Sequence, residues 1–209
     1  ADASRYIADP EFSSIPVEEL LSRAYAEERR GLIDEDRAAA AAGPGLPCSE
    51  RDTVYLATAD RHGNSVSFIN SLYYPFGSGI VVGDTGICLQ NRGSLFNLEA
   101  GHPNCVAPRK RPYHTIIPGM ALKDGHLFLT FGVMGGFMQP QGHVQVLLNI
   151  IEFGMDVQTA LDAPRFRYIE GDRCTFEPAI PKGVLRELAK MGHRITTLED
   201  PYLQGFGGG

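Results

Sequence analysis

The sequence has no run of eighteen or more apolar residues, so it encodes no helix long and greasy enough to cross a bilayer. Closely spaced cysteines are also missing. Cys48, Cys88, Cys105 and Cys174 are scattered, which argues against a C-x-x-C redox pair or a thiolate zinc site and reads as free thiols. Cys88 stands in an apolar run, as a small core residue would, and Cys48 in a Gly/Pro-rich stretch that favours exposure. Positive charge is scarce: 19 Lys and Arg against 25 Asp and Glu leave a net charge of −6. The one basic cluster, Arg109-Lys110-Arg111, is too short to hold a phosphate backbone against that balance, so nucleic acid is not the expected partner, and neither is a membrane. The opening Ala1-Asp2-Ala3-Ser4-Arg5 has no initiator Met, basic n-region or apolar h-region, and Gly205-Phe206-Gly207-Gly208-Gly209 reads as a turn cut short. The expectation is a piece of a longer, soluble protein of the cytoplasm or the periplasm.

What is present is an ordinary globular composition, 43% hydrophobic and 21% charged over 209 residues, enough to bury a core. Near the start Pro16 suits a first helical turn, Glu18 and Glu19 favour the positive helix end, and Val17, Leu20, Leu21, Ala24 and Tyr25 form an apolar stripe opposite a wet Glu27-Glu28-Arg29-Arg30 face. The run 38–47, AAAAAGPGLP, has little to bury and reads as a linker. Beyond it the period changes to that of strands. Residues 53–59 and 64–71 flank Asp60-Arg61-His62-Gly63 as a hairpin, 80–82 and 87–89 flank a Gly83-Asp84-Thr85-Gly86 turn, and 126–131 is a buried strand after Lys123-Asp124-Gly125. Residues 141–153 are apolar nearly all round, the pattern of a helix buried against a sheet and closed by Gly154. Asp156 caps a short helix that Pro164 ends; 183–191 is another helix and 194–198 a strand. This order predicts an α+β chain of antiparallel sheets covered by helices.

Thr53 follows the linker and opens a strand, which by itself is commonplace for a β-branched residue. Its surroundings are not. Asp52-Thr53-Val54-Tyr55, then Asp60-Arg61-His62-Gly63-Asn64-Ser65-Val66-Ser67, then Phe76-Gly77-Ser78-Gly79-Ile80 resemble the start of the small subunit of the gamma-glutamyltransferases, without a gap. Arg111-Pro112 leading to Pro118, Val133-Met134-Gly135-Gly136, Gln139-Pro140-Gln141-Gly142-His143 and Asp162-Ala163-Pro164-Arg165-Phe166 extend the likeness over most of the chain.

The resemblance implies the four-layer αββα sandwich of the N-terminal-nucleophile hydrolases and a precursor that cuts itself between Asp52 and Thr53. It divides the chain into a helical tail of the large subunit (1–37), a linker ending at the cleavage site (38–52) and the small-subunit catalytic region (53–209). Because 1–52 and Thr53 run on in one sequence, the chain is read as an uncleaved or concatenated precursor. Thr53 becomes the nucleophile, and the amine freed by cleavage, with a pKa of about 7.7–8.0, becomes its base. Ser71 stands where the family has a threonine whose hydroxyl supports the nucleophile, and serine can make the same hydrogen bond; the alternative is a strand-end serine facing a turn. Gly135 and Gly136 match the paired glycines whose N–H groups form the oxyanion hole. Such chemistry needs no metal or cofactor, so His62, His114 and His143 are not expected to be ligands, and His143 is read as a satisfied core or cap residue. The partners implied are the large subunit of the same precursor and a small-molecule amide, with a homo-oligomer left open.

The chain departs from the family where substrate is held. Asn, Gln and Asp, which grip the substrate's amino group, are replaced by Tyr73, Arg92 and Leu95, and two adjacent serines by His114 and Thr115. Losing a carboxylate and gaining an arginine makes the site a poor receiver of an ammonium group. A carboxylate-bearing or bulkier acyl group, like those taken by cephalosporin acylases, fits better, while Arg92 is equally readable as a structural bridge. The rival readings are a true gamma-glutamyltransferase or glutathione hydrolase, and a degenerate relative that never matures and serves as a binding protein.

Overall fold

The computed structural model describes residues 2–39, 52–198 and 206. Most of the expected linker, Cys48 and nearly all of the Gly-rich tail lie outside the described residues. The chain begins with α1 (Asp2–Tyr6), α2 (Val17–Leu20) and α3 (Arg23–Arg30). The single helix expected here is broken, because Ser22 adopts extended backbone and its hydroxyl accepts the Tyr25 N–H at 3.1 Å, starting a new helix. The apolar stripe is correspondingly not a buried one: Val17 is 52% and Leu21 82% exposed. The charged face of α3 is wet, as expected.

The hairpin after the linker forms as read. β1 (Asp52–Ala59) includes the Asp52–Thr53 step and pairs antiparallel with β2 (Ser65–Tyr73). The Asp60 carboxylate organises the turn by accepting from His62 N at 2.8 Å, Asn64 N at 3.0 Å and Asn64 Nδ2 at 2.8 Å, while Gly63 takes φ +84°. Side chains alternate along β2 and over the first part of β1, up to Leu56. Thr53, Ile69 and Tyr73 are buried and Tyr55, Ser65, Ser67 and Ser71 partly so, whereas Val54, Leu56, Val66 and Phe68 are exposed.

The next predicted pair shrinks to one bridge, Val81 to Cys88, with Ile80, Val82, Ile87 and Leu89 exposed. β3 (Gly119–Lys123), which its Gly and Ala conceal, pairs antiparallel with β4 (His126–Phe131). A side chain at Gly119 would come within 2.6 Å of the Phe131 ring, so the glycine is what lets that ring lie across the pair. β4 is half exposed rather than buried, with Phe128 at 44%. The hairpins dock through hydroxyls: Ser65 Oγ and Thr130 Oγ1 are 2.6 Å apart, and Ser67 Oγ donates to the Phe131 carbonyl at 3.2 Å.

The helix expected at 141–153 is α4 (Gln139–Ile151), with Pro140 in its first turn. It is not buried all round, since Val144, Leu148 and Ile151 are exposed. Part of its attachment is polar. Gln141 exchanges two hydrogen bonds with the backbone of Tyr168 (2.8 and 3.2 Å) and Gln145 two with that of Phe166 (3.0 and 2.9 Å) on β5 (Phe166–Glu170). Four helical residues rise about 6 Å and two strand residues about 6.6 Å, so glutamines one turn apart match backbone groups two residues apart and satisfy the edge of the strand. α5 (Val157–Asp162) is capped by Asp156, as expected. β5 and β6 (Arg173–Phe176), a hairpin the sequence reading passed over, are extended through α6 (Lys182–Lys190) by β7 (Arg194–Thr197), which pairs parallel to β6 and corrects the all-antiparallel expectation.

Gly132 lies against Tyr55, where a Cβ would stand 2.3 Å from the ring. Gly132→Ala is therefore expected to cost about 1–3 kcal/mol by overpacking. Urea unfolding will report it as a lower midpoint at an unchanged slope.

Candidate active site

Thr53 is 8% exposed, and its Oγ1 donates to Ser71 Oγ at 3.1 Å directly across the ladder. Ser71 Oγ also accepts the Tyr73 N–H at 3.1 Å. The register shifts at one place, between Asp52 and Thr53. Asp52 pairs with Tyr73 and Thr53 with Ser71, leaving Leu72 as the extra residue of a bulge beside the Asp52–Thr53 step.

Past the bulge Tyr73 takes φ +81°, a conformation costing a bulky residue about 1–3 kcal/mol. Its buried ring stacks on Tyr74 with centroids 4.7 Å apart, and the Arg92 guanidinium lies 5.4 Å from its centre. Arg92, 6% exposed, opens a short 3-10 turn (Arg92–Leu95), its backbone N–H bonded to Gln90 Oε1 and its Nη1 donating to buried Thr115 Oγ1 at 3.2 Å. Leu95 ends the same turn, and its carbonyl accepts from Asn104 Nδ2 at 2.7 Å. His114 is open to solvent on one side, and its pKa is lowered first by desolvation and then by the Arg92 charge, against a backbone bond to Ile116. The predicted residues thus form a connected path from Thr53 through Ser71, Tyr73 and Arg92 to Thr115, with His114 and Leu95 beside it.

The wall carrying His114 and Thr115 is irregular chain, held at alternate residues by side chains from elsewhere. Asp9 holds Arg111, Asn104 Oδ1 accepts Tyr113 N–H at 2.9 Å, Arg92 holds Thr115, and Gln139 Oε1 accepts Ile117 N–H at 3.3 Å. Sequence reasoning passed over Asp9, Asn104 and Gln139 as holders. Only Gln139 carried a signal, being the first residue of the quoted Gln139-Pro140-Gln141-Gly142-His143 run.

Gly135 and Gly136 take φ +105° and +58° just after β4, successive left-handed conformations that a side chain would strain. Ser65 meets Thr130, Ser67 meets Phe131, and Tyr55, which pairs with Ile69, meets Gly132. β4 therefore advances alongside β2, and the chain leaving it heads towards the end of the ribbon where Thr53 lies. His143 packs edge-on against Phe131, centroids 4.8 Å apart, and burial lowers its pKa; its Nε2 has no hydrogen-bond partner among the described residues. His62 is exposed in the hairpin turn. Among the described residues no group of three or more His, Cys, Asp or Glu is placed to hold a metal ion, and no helix is long and apolar enough to cross a membrane.

Residues 1–205 match the family model described as gamma-glutamyltranspeptidase. The chain belongs to the gamma-glutamyltranspeptidase family. It is 37% identical over 204 residues to a glutathione hydrolase-like YwrD proenzyme of Bacillus subtilis, covering 95% of this chain and 38% of that one. Against an acylase ACY 1 proenzyme of a Pseudomonas species it is 34% identical, covering 93% and 35%. The crystal structure of a cephalosporin acylase from Bacillus halodurans superposes with a TM-score of 0.89 at 48% identity, covering 99% of this chain and 37% of that one. The fold of the family member described here is thus the expected α+β one, part of the αββα sandwich of N-terminal-nucleophile hydrolases, and the chain spans under two fifths of the length of these relatives.

Because Arg92 helps to depress the His114 pKa, Arg92→Gln is expected to move that imidazole's titration midpoint upwards without restoring it fully, the remainder being desolvation. Proton NMR of the His114 ring across pH 4–8 measures both parts.

Proposed function

We propose that this chain is the C-terminal portion of a proenzyme that cuts itself between Asp52 and Thr53 and then acts as an N-terminal-threonine amidohydrolase or acyltransferase. The observation that carries the proposal is the buried Thr53 hydroxyl, bonded to Ser71 at a bulge that falls on the Asp52–Thr53 step. In maturation Thr53 Oγ adds to the Asp52 carbonyl carbon, the peptide C–N bond breaks as the nitrogen takes a proton, and water hydrolyses the resulting ester. This frees the Asp52 carboxylate and the Thr53 amine. Before cleavage that nitrogen is an amide and cannot act as a base; afterwards it is an amine that titrates at about 7.7–8.0 in an unperturbed setting.

In turnover the neutral amine takes the Thr53 hydroxyl proton as Oγ attacks a substrate amide, and returns it to the departing amine. The Gly135 and Gly136 N–H groups receive the oxyanion, and Ser71 orients Oγ. Water or a second amine then releases the acyl group. The domain division is 1–37, 38–52 and 53–209, and the working enzyme is a heterodimer of the two pieces of the precursor. The exposed Val54, Leu56, Val66 and Phe68 face is the surface that the remainder of the precursor covers.

The preferred acyl group ends in a carboxylate. The buried Arg92 beside Tyr73 and Thr115 supplies the counter-charge, and Leu95 offers no anion to an ammonium group. The gamma-glutamyl reading is supported by the names of the relatives and opposed by these side chains.

Two measurements test the proposal. Intact mass after incubation of the full-length proenzyme should show scission before Thr53, and Thr53→Ala should stay whole and hydrolyse no anilide; a wild-type chain that stays whole while hydrolysing amides sinks the mechanism. A glutaryl anilide should be turned over with kcat/KM about tenfold or more above the gamma-glutamyl anilide, corresponding to about 1.4 kcal/mol of discrimination. The reverse order restores the glutathione hydrolase reading.

A further inference from the structure

We propose that Asp9 is a positioning residue for the acyl pocket, holding the 111–117 wall from the other side of the Asp52–Thr53 boundary; this rests on the acyl-transfer reading above. The Asp9 side chain is 1% exposed. Its carboxylate accepts the Arg111 backbone N–H at 2.9 Å, Arg111 Nε at 3.2 Å, Arg111 Nη2 at 2.9 Å and the Glu11 N–H at 3.2 Å. Glu11 Oε1 adds a second contact to Arg111 Nη2 at 3.2 Å. The Arg111 side chain is itself 66% exposed, so its ion pair is screened by solvent, and the firm tie is the backbone N–H donated to the buried carboxylate, with the two-pronged guanidinium contact adding direction.

The direction matters because of what Arg111 begins. Residues 111–117 belong to no strand, so no ladder fixes their path, and alternate residues are tied instead by Asp9, Asn104, Arg92 and Gln139. Two residues upstream Arg109 takes φ +60°, an unfavourable entry for a non-glycine residue. Release at Arg111 lets the entry relax and shifts His114 and Thr115, and with Thr115 the hydroxyl that Arg92 Nη1 donates to. The segment N-terminal to the cut thereby stays a working part of the pocket after cleavage, through a contact that the cut does not touch.

The test uses the full-length proenzyme with Asp9→Asn, which keeps the shape but turns a donor towards Arg111, and with Arg111→Lys, which keeps the charge but loses the fork, as a second variant should the first fold poorly. Processing is read by intact mass, kinetics with a glutaryl anilide, and backbone protection by hydrogen exchange. The proposal expects normal scission, kcat within about twofold, KM raised about tenfold, and faster exchange at Arg111 and Tyr113 with the Thr53–Tyr73 ribbon unchanged. An unchanged KM in the processed variants overturns it. So does a fall in kcat accompanied by lost protection across the ribbon, which would mark Asp9 as general scaffolding. A wild-type chain that does not process fails the acyl-transfer reading instead, and exchange at Arg111 and Tyr113 still judges the Asp9 tie.

Discussion

Because Thr53 lies opposite Ser71 in the β1–β2 ladder, one register decides which hydroxyl is buried, what it bonds to and where the ribbon is irregular. Side chains on a strand alternate with period two, so a slip of one residue would turn Thr53 outwards and bring Val54 in. The turn that sets this register is built from Asp60 and Gly63, and the buried face is locked by Ser65, Ser67 and Tyr55 against β4 and Gly132. The bulge at Leu72 then ends regular pairing at the one peptide bond whose scission the proposed chemistry requires.

The second constraint is of another kind. Sheets hold their strands through repeated backbone bonds, but the wall at 111–117 is held by side chains from four separate parts of the chain. Such a wall can change its sequence, and so what it contacts, without disturbing a ladder.

Legibility from sequence followed the range of the forces involved. The β1–β2 hairpin, the Asp156 cap and the last helix and strand were visible because turn chemistry, capping and periodicity act within a few residues. β3 was hidden because its Gly119 serves the Phe131 ring rather than strand propensity, and the polar docking of α4 was not foreseen because Gln141 and Gln145 reveal their purpose only beside β5. The β5–β6 hairpin, with its aromatics around Gly171 and Asp172, was legible and was passed over. In the site, Thr53, Ser71, Tyr73, Arg92 and Thr115 came from motif resemblance and do form one connected path. Asp9 could not be found that way, since its partner Arg111, though part of a quoted motif, is about a hundred residues distant and nothing local to Asp9 marks it.

The ribbon's outward face, with Val54, Leu56, Val66 and Phe68 in one contiguous patch, has a consequence for handling the molecule. A two-stranded ribbon that is greasy on one side is an adhesive tape, and copies of it will meet each other before they meet anything slower to arrive. Making this portion by itself is thus a problem of colloidal behaviour first, governed by concentration and by what shields the tape, and of enzymology only afterwards.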